Sequence, residues 1–258
     1  MSAFATQIGA LAARSVTRTI RQPASAIPPL VFPVALMLVN AAGLHASTTL
    51  PGFPTDSFVA FALAVPFIQG ALFSTMNAGT DLARDIQTGF LNRLSLTSMR
   101  GMALLGGQLG GAVVLGLVQA IFYVLVGLLV GVRFASGVGG VLVLLLFAVL
   151  VSFGFGALGS FLALRSGSGE TVQGMFPALF VFLFLSSMNA PRDLIAVDWF
   201  RHVATVNPVS YLIECVRSLI ITGWDPEALV LGFGIATLIA IVSLFLAARA
   251  LGRRLERT

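Results

Sequence analysis

Hydrophobic residues in this chain fall into long runs separated by short polar stretches. Six runs stand out, at about 26–45, 57–80, 101–132, 138–164, 171–188 and 226–248. A helix needs roughly 20 apolar residues to cross the hydrocarbon core of a bilayer. The pattern predicts an all-α, polytopic membrane protein with six transmembrane helices forming one transmembrane domain over residues 1–258. Segments of about ten residues with alternating polarity, the mark of a membrane β-barrel, do not occur.

Three stretches break the pattern. Residues 3–22 read as a helix with Arg14, Arg18 and Arg21 on one face and Phe4, Ile8, Leu11, Val16 and Ile20 on the rest. Such a helix is expected to lie in the membrane interface with its arginines toward phosphates. The second stretch, DLARDIQTGFLNRLSLTSMR at 81–100, places Leu82, Ile86, Phe90 and Leu94 four residues apart, the spacing of one helix face. Arg84, Asp85 and Arg93 are expected to be exposed beside that stripe, and Gly89 to let the chain bend. The third, 189–225, holds NPVSYLIECVRSLIITG at 207–223. There Asn207 suits an N-cap, Pro208 the first helical position and Gly223 the stop. Glu214 and Arg217 stand three apart and are expected to pair. A helix of about 14 residues is too short to span, so this segment predicts short re-entrant or interfacial helices before the last span.

Composition narrows the function. The chain is 57% hydrophobic, 10% charged and carries +5 net charge. Its 15 basic residues are all Arg. They sit between the apolar runs rather than in one patch, which excludes nucleic acid as partner. With the N-terminus inside, 11 Arg fall on inner segments and Arg133, Arg192, Arg201 and Arg217 on outer ones. The positive-inside rule then puts both termini in the cytoplasm of a multi-pass plasma (inner) membrane protein. Metal-ligand spacing is missing, catalytic pairings are missing, and the single Cys215 forms no internal disulfide. GFGALG at 154–159 matches a dinucleotide-binding fingerprint, but inside an apolar run its glycines are expected to let helices approach closely. The apolar runs hold almost no acids, which argues against an ion-coupled carrier.

The loop DIQTGFLNRLSLTSMRGMALLGGQ at 85–108 resembles that of type-2 ABC exporter permeases, in particular the daunorubicin/doxorubicin-resistance-like branch. Asp85, Gly89-Phe90, Asn92, Arg93 and Gly106 or Gly107 carry the resemblance, and 207–223 resembles the segment before that family's last span. The resemblance implies a permease subunit that exports an amphipathic or lipophilic compound, a drug or antibiotic first. The alternatives are a lipid-linked glycan or envelope lipid moved by the same machinery, and an ion-coupled secondary carrier. It implies that Arg84, Asp85, Ile86, Gly89, Phe90, Asn92, Arg93 and Leu94 dock on a cytoplasmic ABC ATPase, present in two copies. A chain without Lys cannot form the G-x-x-x-x-G-K-[ST] phosphate loop, so ATP and Mg would reside on that partner and no cofactor on this chain. A second permease copy or paralogue is expected, with spans two and five at the seam. Asn207, Pro208, Tyr211, Glu214 and Arg217 would form an outer gate, and Met175, Phe176, Phe180, Phe184 and Met188 would line the path of a small amphipathic substrate.

Overall fold

The architecture comes from a computed structural model, which describes residues 3–21, 23–95 and 101–255. Among these residues it is helical throughout, with no strand: α1 (Ala3–Arg21), α2 (Pro23–Gly43), α3 (Phe58–Ala62), α4 (Ala64–Gln87), α5 (Phe90–Ser95), α6 (Gly101–Leu129), α7 (Gly137–Ser166), α8 (Gly169–Phe184), α9 (Asp198–Val206), α10 (Pro208–Arg217) and α11 (Pro226–Leu255). Short 3-10 turns lie at His45–Thr49 and Arg192–Leu194, and a π-helical turn, Ser218–Thr222, continues α10.

Each of the six apolar runs is a helix. Among the described residues, four stretches are long and apolar enough to cross a membrane: Phe58–Gln87, where α3 and α4 join end to end, Ala103–Leu129, Gly137–Ser166 and Pro226–Arg254. The apolar stretches of α2 and α8, Ile27–Gly43 and Gly169–Phe184, are shorter. The 16 residues of α8 rise about 24 Å against a hydrocarbon core of about 30 Å.

The center of the bundle is α4. It packs against α2, α6, α7, α8 and α10, and 94% of the apolar window of Phe58–Gln87 is buried inside the chain. This corrects the expectation that span two lines a seam with a second copy, because its own chain encloses it. Of the expected pair, only α8 keeps an exposed face, through Met175, Val181, Phe182 and Phe184. Small residues make the enclosure possible. A Cβ on Gly159 of α7 would overlap the Thr75 carbonyl of α4, and one on Gly79 would come within 2.8 Å of the Gly159 carbonyl. On α7, Gly154 faces Ala240 of α11 and Gly156 faces Ala112 of α6. The 154–159 glycines are packing residues, as their place in an apolar run indicated.

Pro28, Pro29 and Pro33 lie inside α2, yet the helix continues. Proline has no N–H, so Pro33 leaves the Pro29 carbonyl, four residues back, without its helical donor. The phenol of Tyr123, on α6 and fully buried, donates to that carbonyl. A neighboring helix thus satisfies the group that proline freed, which an apolar surround demands.

The bundle has two distinct ends. At one, α5, the start of α6, the end of α7, the start of α8 and the end of α11 meet around Leu82, Leu91, Leu105, Leu164, Val172 and Leu251. Arg84, Arg93, Arg165, Arg249, Arg253 and Arg254 surround this arginine-rich end, and Arg254 Nη1 donates to the Leu164 carbonyl at 2.9 Å. At the other, the turn between α6 and α7 is tied to the π-turn: Ala135 N–H reaches the Ile220 carbonyl at 3.0 Å, and Ser136 Oγ donates to the Leu219 carbonyl at 2.6 Å.

Candidate functional site

At the arginine-rich end, α4 runs on to Gln87, so residues 81–87 belong to the long helix rather than to a separate loop. The chain then turns at Thr88-Gly89, with Gly89 at φ 69° and no atom within 4 Å of its missing side chain. That left-handed conformation suits Gly, and it resets the helical phase. The expected stripe does not continue through it. Leu82 is buried and Ile86 packs beside it, but beyond the turn Leu91 enters the core in place of Phe90. Arg84 and Arg93 are exposed as expected, while the side chains of Asn92 and Leu94, and all of residues 96–100, lie outside the described residues.

Asp85 corrects the expectation that it is exposed. It is 5% exposed and faces α1. Arg14 grips it with both terminal nitrogens, Nη1 to Oδ2 and Nη2 to Oδ1, each at 2.9 Å. Arg18 adds Nη1 to Asp85 Oδ1 at 3.2 Å and Nε to Asp81 Oδ1 at 3.2 Å. Two arginines four apart on α1 therefore meet two aspartates four apart on α4. The hydrogen bonds to Asp85 raise the Arg14 pKa above its ordinary value despite partial burial. The guanidinium of Arg14 also covers the Phe90 ring at 3.9 Å. On its other side α1 seats Leu11 and Ala12 against Gly107 and Gly110 of α6, where larger residues would clash. Arg14 and Arg18 are thus turned to the protein's own carboxylates rather than to lipid phosphates, and Arg21 remains exposed. The role of Arg14, Arg18 and Asp81 was missed from sequence, although the matched four-residue spacings on 14/18 and 81/85 were its signal.

At the opposite end, the side chain of Asn207 accepts the Val209 N–H at 2.9 Å and starts α10, with Pro208 next and Gly223, at φ 93°, closing the π-turn. Its Nδ2 donates to the Phe182 and Leu185 carbonyls at 2.6 and 3.0 Å, so Asn207 also caps α8. The expected Glu214–Arg217 pair does not form. Glu214 binds Arg192 Nη2 at 2.7 Å, and Arg192 lies over the Tyr211 ring at 4.5 Å. Arg217 faces inward and is 7% exposed. Its Nε donates to the Phe61 carbonyl at 3.3 Å, Nη1 and Nη2 share the Ser187 carbonyl at 3.1 Å, and Nη2 reaches the Met188 carbonyl at 3.2 Å. The Phe61 ring lies 3.5 Å beneath the guanidinium. Burial pulls this arginine down to about 9, with Glu214 opposing. Arg217 pins α10 to the start of the α3–α4 helix and to the turn after α8. A cavity of about 240 Å³ opens beside it, between α10 and the start of α11.

The aromatic residues expected on a path divide into two groups. Phe176, Phe180 and Phe184 of α8 form a ladder with neighboring rings 4.8 and 6.3 Å apart. Phe73 of α4 and Phe32 of α2 join it at 4.9 Å from Phe176 and 6.2 Å from Phe180. Met175 is exposed on the same helix, whereas Met188 is buried within the turn that Arg217 holds. No group of three or more metal-ligating side chains occurs among the described residues.

The helical bundle thus carries a charged corner of two helices and a glycine turn at one end, and a capped helix too short to cross a membrane at the other. Residues 6–221 match the ABC-2 type transporter family, and the chain belongs to that family. Members are the membrane subunits of ABC transporters and have no ATPase site of their own, in keeping with a chain that holds no phosphate-binding loop. Among curated proteins the chain is 30% identical, over 170 residues, to the daunorubicin resistance ABC transporter permease protein DrrB1 of Streptomyces coeruleorubidus, covering 64% of this chain and 58% of that relative's length. It is 27% identical over 246 residues to the transport permease ycf38 of Porphyra purpurea, covering 93% and 84% of the two chains. A ycf38 permease of Cyanophora paradoxa is 23% identical over 218 residues, covering 84% and 74%.

Proposed function

We propose that this chain exports an amphipathic or lipophilic compound across the plasma membrane, driven by ATP hydrolyzed on a separate subunit. Family membership supports the transport chemistry, and the name of the Streptomyces relative supports a drug-like cargo. The observation that carries the reading is the corner at α4–α5. Arg84 and Arg93 stand exposed around a glycine turn, on a short helix anchored to the bundle by Leu91. A charged corner of this kind suits a groove on a cytoplasmic ATPase, one per permease copy, as a helix-in-groove contact. Closure of two ATPases would push on α5, and through Gly89 and the Arg14–Asp85 contact on α4 and α1.

In this reading all six apolar helices cross the bilayer, α2 and α8 with thinning or with their flanking turns, and the arginine-rich end is cytoplasmic. α1 lies in the interface, and α9 and α10 re-enter from the outer face. Two permease copies face each other, and the aromatic ladder of α8 faces the cargo. Asn207, Pro208, Tyr211, Glu214 and Arg217 hold the outer closure.

The test is co-purification from native membranes in mild detergent. The tagged chain should bring down a P-loop ATPase, and a variant with Arg84→Glu and Arg93→Glu should lose it. An ATPase absent from both preparations, together with proton-driven transport in vesicles without ATP, would overturn the proposal.

A further inference from the structure

The cavity beside α10 is too large for a single water and too small for a whole drug-sized molecule. Apart from Arg192, its side-chain hydrogen-bond donors are already committed. The Tyr211 hydroxyl donates to the Thr205 carbonyl, that of Ser218 to Cys215 and that of Thr222 to Ser218. Arg217 is spent on the Phe61, Ser187 and Met188 carbonyls. The acceptors are not. Asp225 takes the Glu227 and Ala228 N–H groups through Oδ1 alone, Arg192 meets only Oε2 of Glu214, and the Glu227 carboxylate has no described partner. An acceptor-rich cavity is complementary to a cation.

The chain itself shows which kind. The Arg192 guanidinium lies between the Glu214 carboxylate, at 2.7 Å, and the Tyr211 ring, at 4.5 Å from its centroid. Carboxylate on one side and aromatic face on the other is the chemistry that holds organic cations, quaternary ammonium groups included. Arg192 comes from a short 3-10 turn, 22 residues from Glu214 along the chain, and it holds the position a bound organic cation would take. The remaining lining is apolar: Ile221, Ala228 and Leu231. Leu231 is also exposed on the outside of α11, next to Val230. A hydrocarbon tail leaving the cavity there would run along the lipid-facing side of the last helix.

We infer that this cavity binds the alkylammonium head of an amphipathic cation, which displaces Arg192 from Glu214 and Tyr211. The purpose of such a site rests on the export reading, since a head-group site at the exit end would hold cargo on its way out. The binding itself does not, because it needs neither ATP nor the ATPase.

The test uses the purified full chain in neutral maltoside micelles and dodecyltrimethylammonium as probe, with dodecanol as the uncharged control. The wild-type chain should bind one equivalent of the cation saturably. Glu214→Gln should weaken binding about tenfold, and Glu227→Gln, an exposed position, about threefold. Arg192→Ala should tighten it about threefold, because it removes the internal competitor. These opposite signs separate a displaced occupant from general loss of structure, which would weaken every variant. Equal binding of dodecanol, or weaker binding by Arg192→Ala, overturns the inference. Absence of any co-purifying ATPase from the wild-type chain, with cation binding intact, would instead refute the export reading alone.

Discussion

Replacing Arg217 by Met removes a buried cation and keeps most of its apolar length. The guanidinium makes four hydrogen bonds to three carbonyls, those of Phe61, Ser187 and Met188, and lies on the Phe61 ring. Each carbonyl left without a donor in a dry site costs about 1–3 kcal/mol. Three of them amount to about 3–9 kcal/mol, against which stands relief from burying a charge, worth several kcal/mol in the other direction. The expected net loss is about 3 kcal/mol, close to the lower end of what breaking a buried charged contact costs. For a domain of this size that corresponds to a fall in Tm of about 6–12 °C. The native Cys215 is a convenient reporter. It is fully buried two residues before Arg217, and burial pushes its thiol up to about 12, so a maleimide dye reacts with it only when α10 comes away. A thermal ramp of the detergent-solubilized chain with such a dye gives the midpoint directly. Arg217→Lys should fall between wild type and Arg217→Met, since an ammonium cannot bridge the same carbonyls as a planar fork. A midpoint for Arg217→Met at or above that of the wild type would refute the reasoning.

Three further outcomes follow from contacts described above. Tyr123→Phe should cost about 1–2 kcal/mol by orphaning the Pro29 carbonyl, and much less in a Pro33→Ala background, where position 33 regains a backbone N–H; equal costs in the two backgrounds, in the same thermal assay, would contradict the account. Gly159→Leu should prevent α4 and α7 from closing and abolish the monodisperse peak in size-exclusion chromatography, while Gly174→Leu, with open space around it, should leave that peak in place. Asp85→Asn and Arg14→Gln, combined in a double-mutant cycle, should show a coupling of about 1–3 kcal/mol; additive effects would mean that α1 does not lean on α4.

The apolar runs were legible in sequence because a membrane span is a local property of about 20 residues. The caps of α10 were legible for the same reason: Asn207, Pro208 and Gly223 each act within a few residues of themselves. Pairings between distant segments were not. Helical spacing allows Glu214 to reach Arg217, but it cannot say that Arg192 arrives first or that Arg217 turns toward three carbonyls. The stripe Leu82–Ile86–Phe90–Leu94 failed at Gly89, where a left-handed residue rotates everything after it and brings Leu91 inward. Asp85 was expected outside because it lies off the apolar stripe of an amphipathic helix; Arg14, 71 residues earlier, makes its burial possible. That span two is enclosed rather than at a seam depends on α6, α7, α8 and α10 all finding it, which no window of the sequence contains.

The central claim is that the α4–α5 corner docks on a separate ATPase. The most direct measurement is cross-linking in native membranes from a single cysteine at Arg93→Cys, in a Cys215→Ser background, with a short bismaleimide. The account predicts one adduct with a P-loop ATPase, changed in yield by a non-hydrolyzable ATP analog, and none from a control cysteine at Arg133, on the turn at the opposite end. An adduct from Arg133→Cys with none from Arg93→Cys, or no ATPase adduct from either, would contradict it.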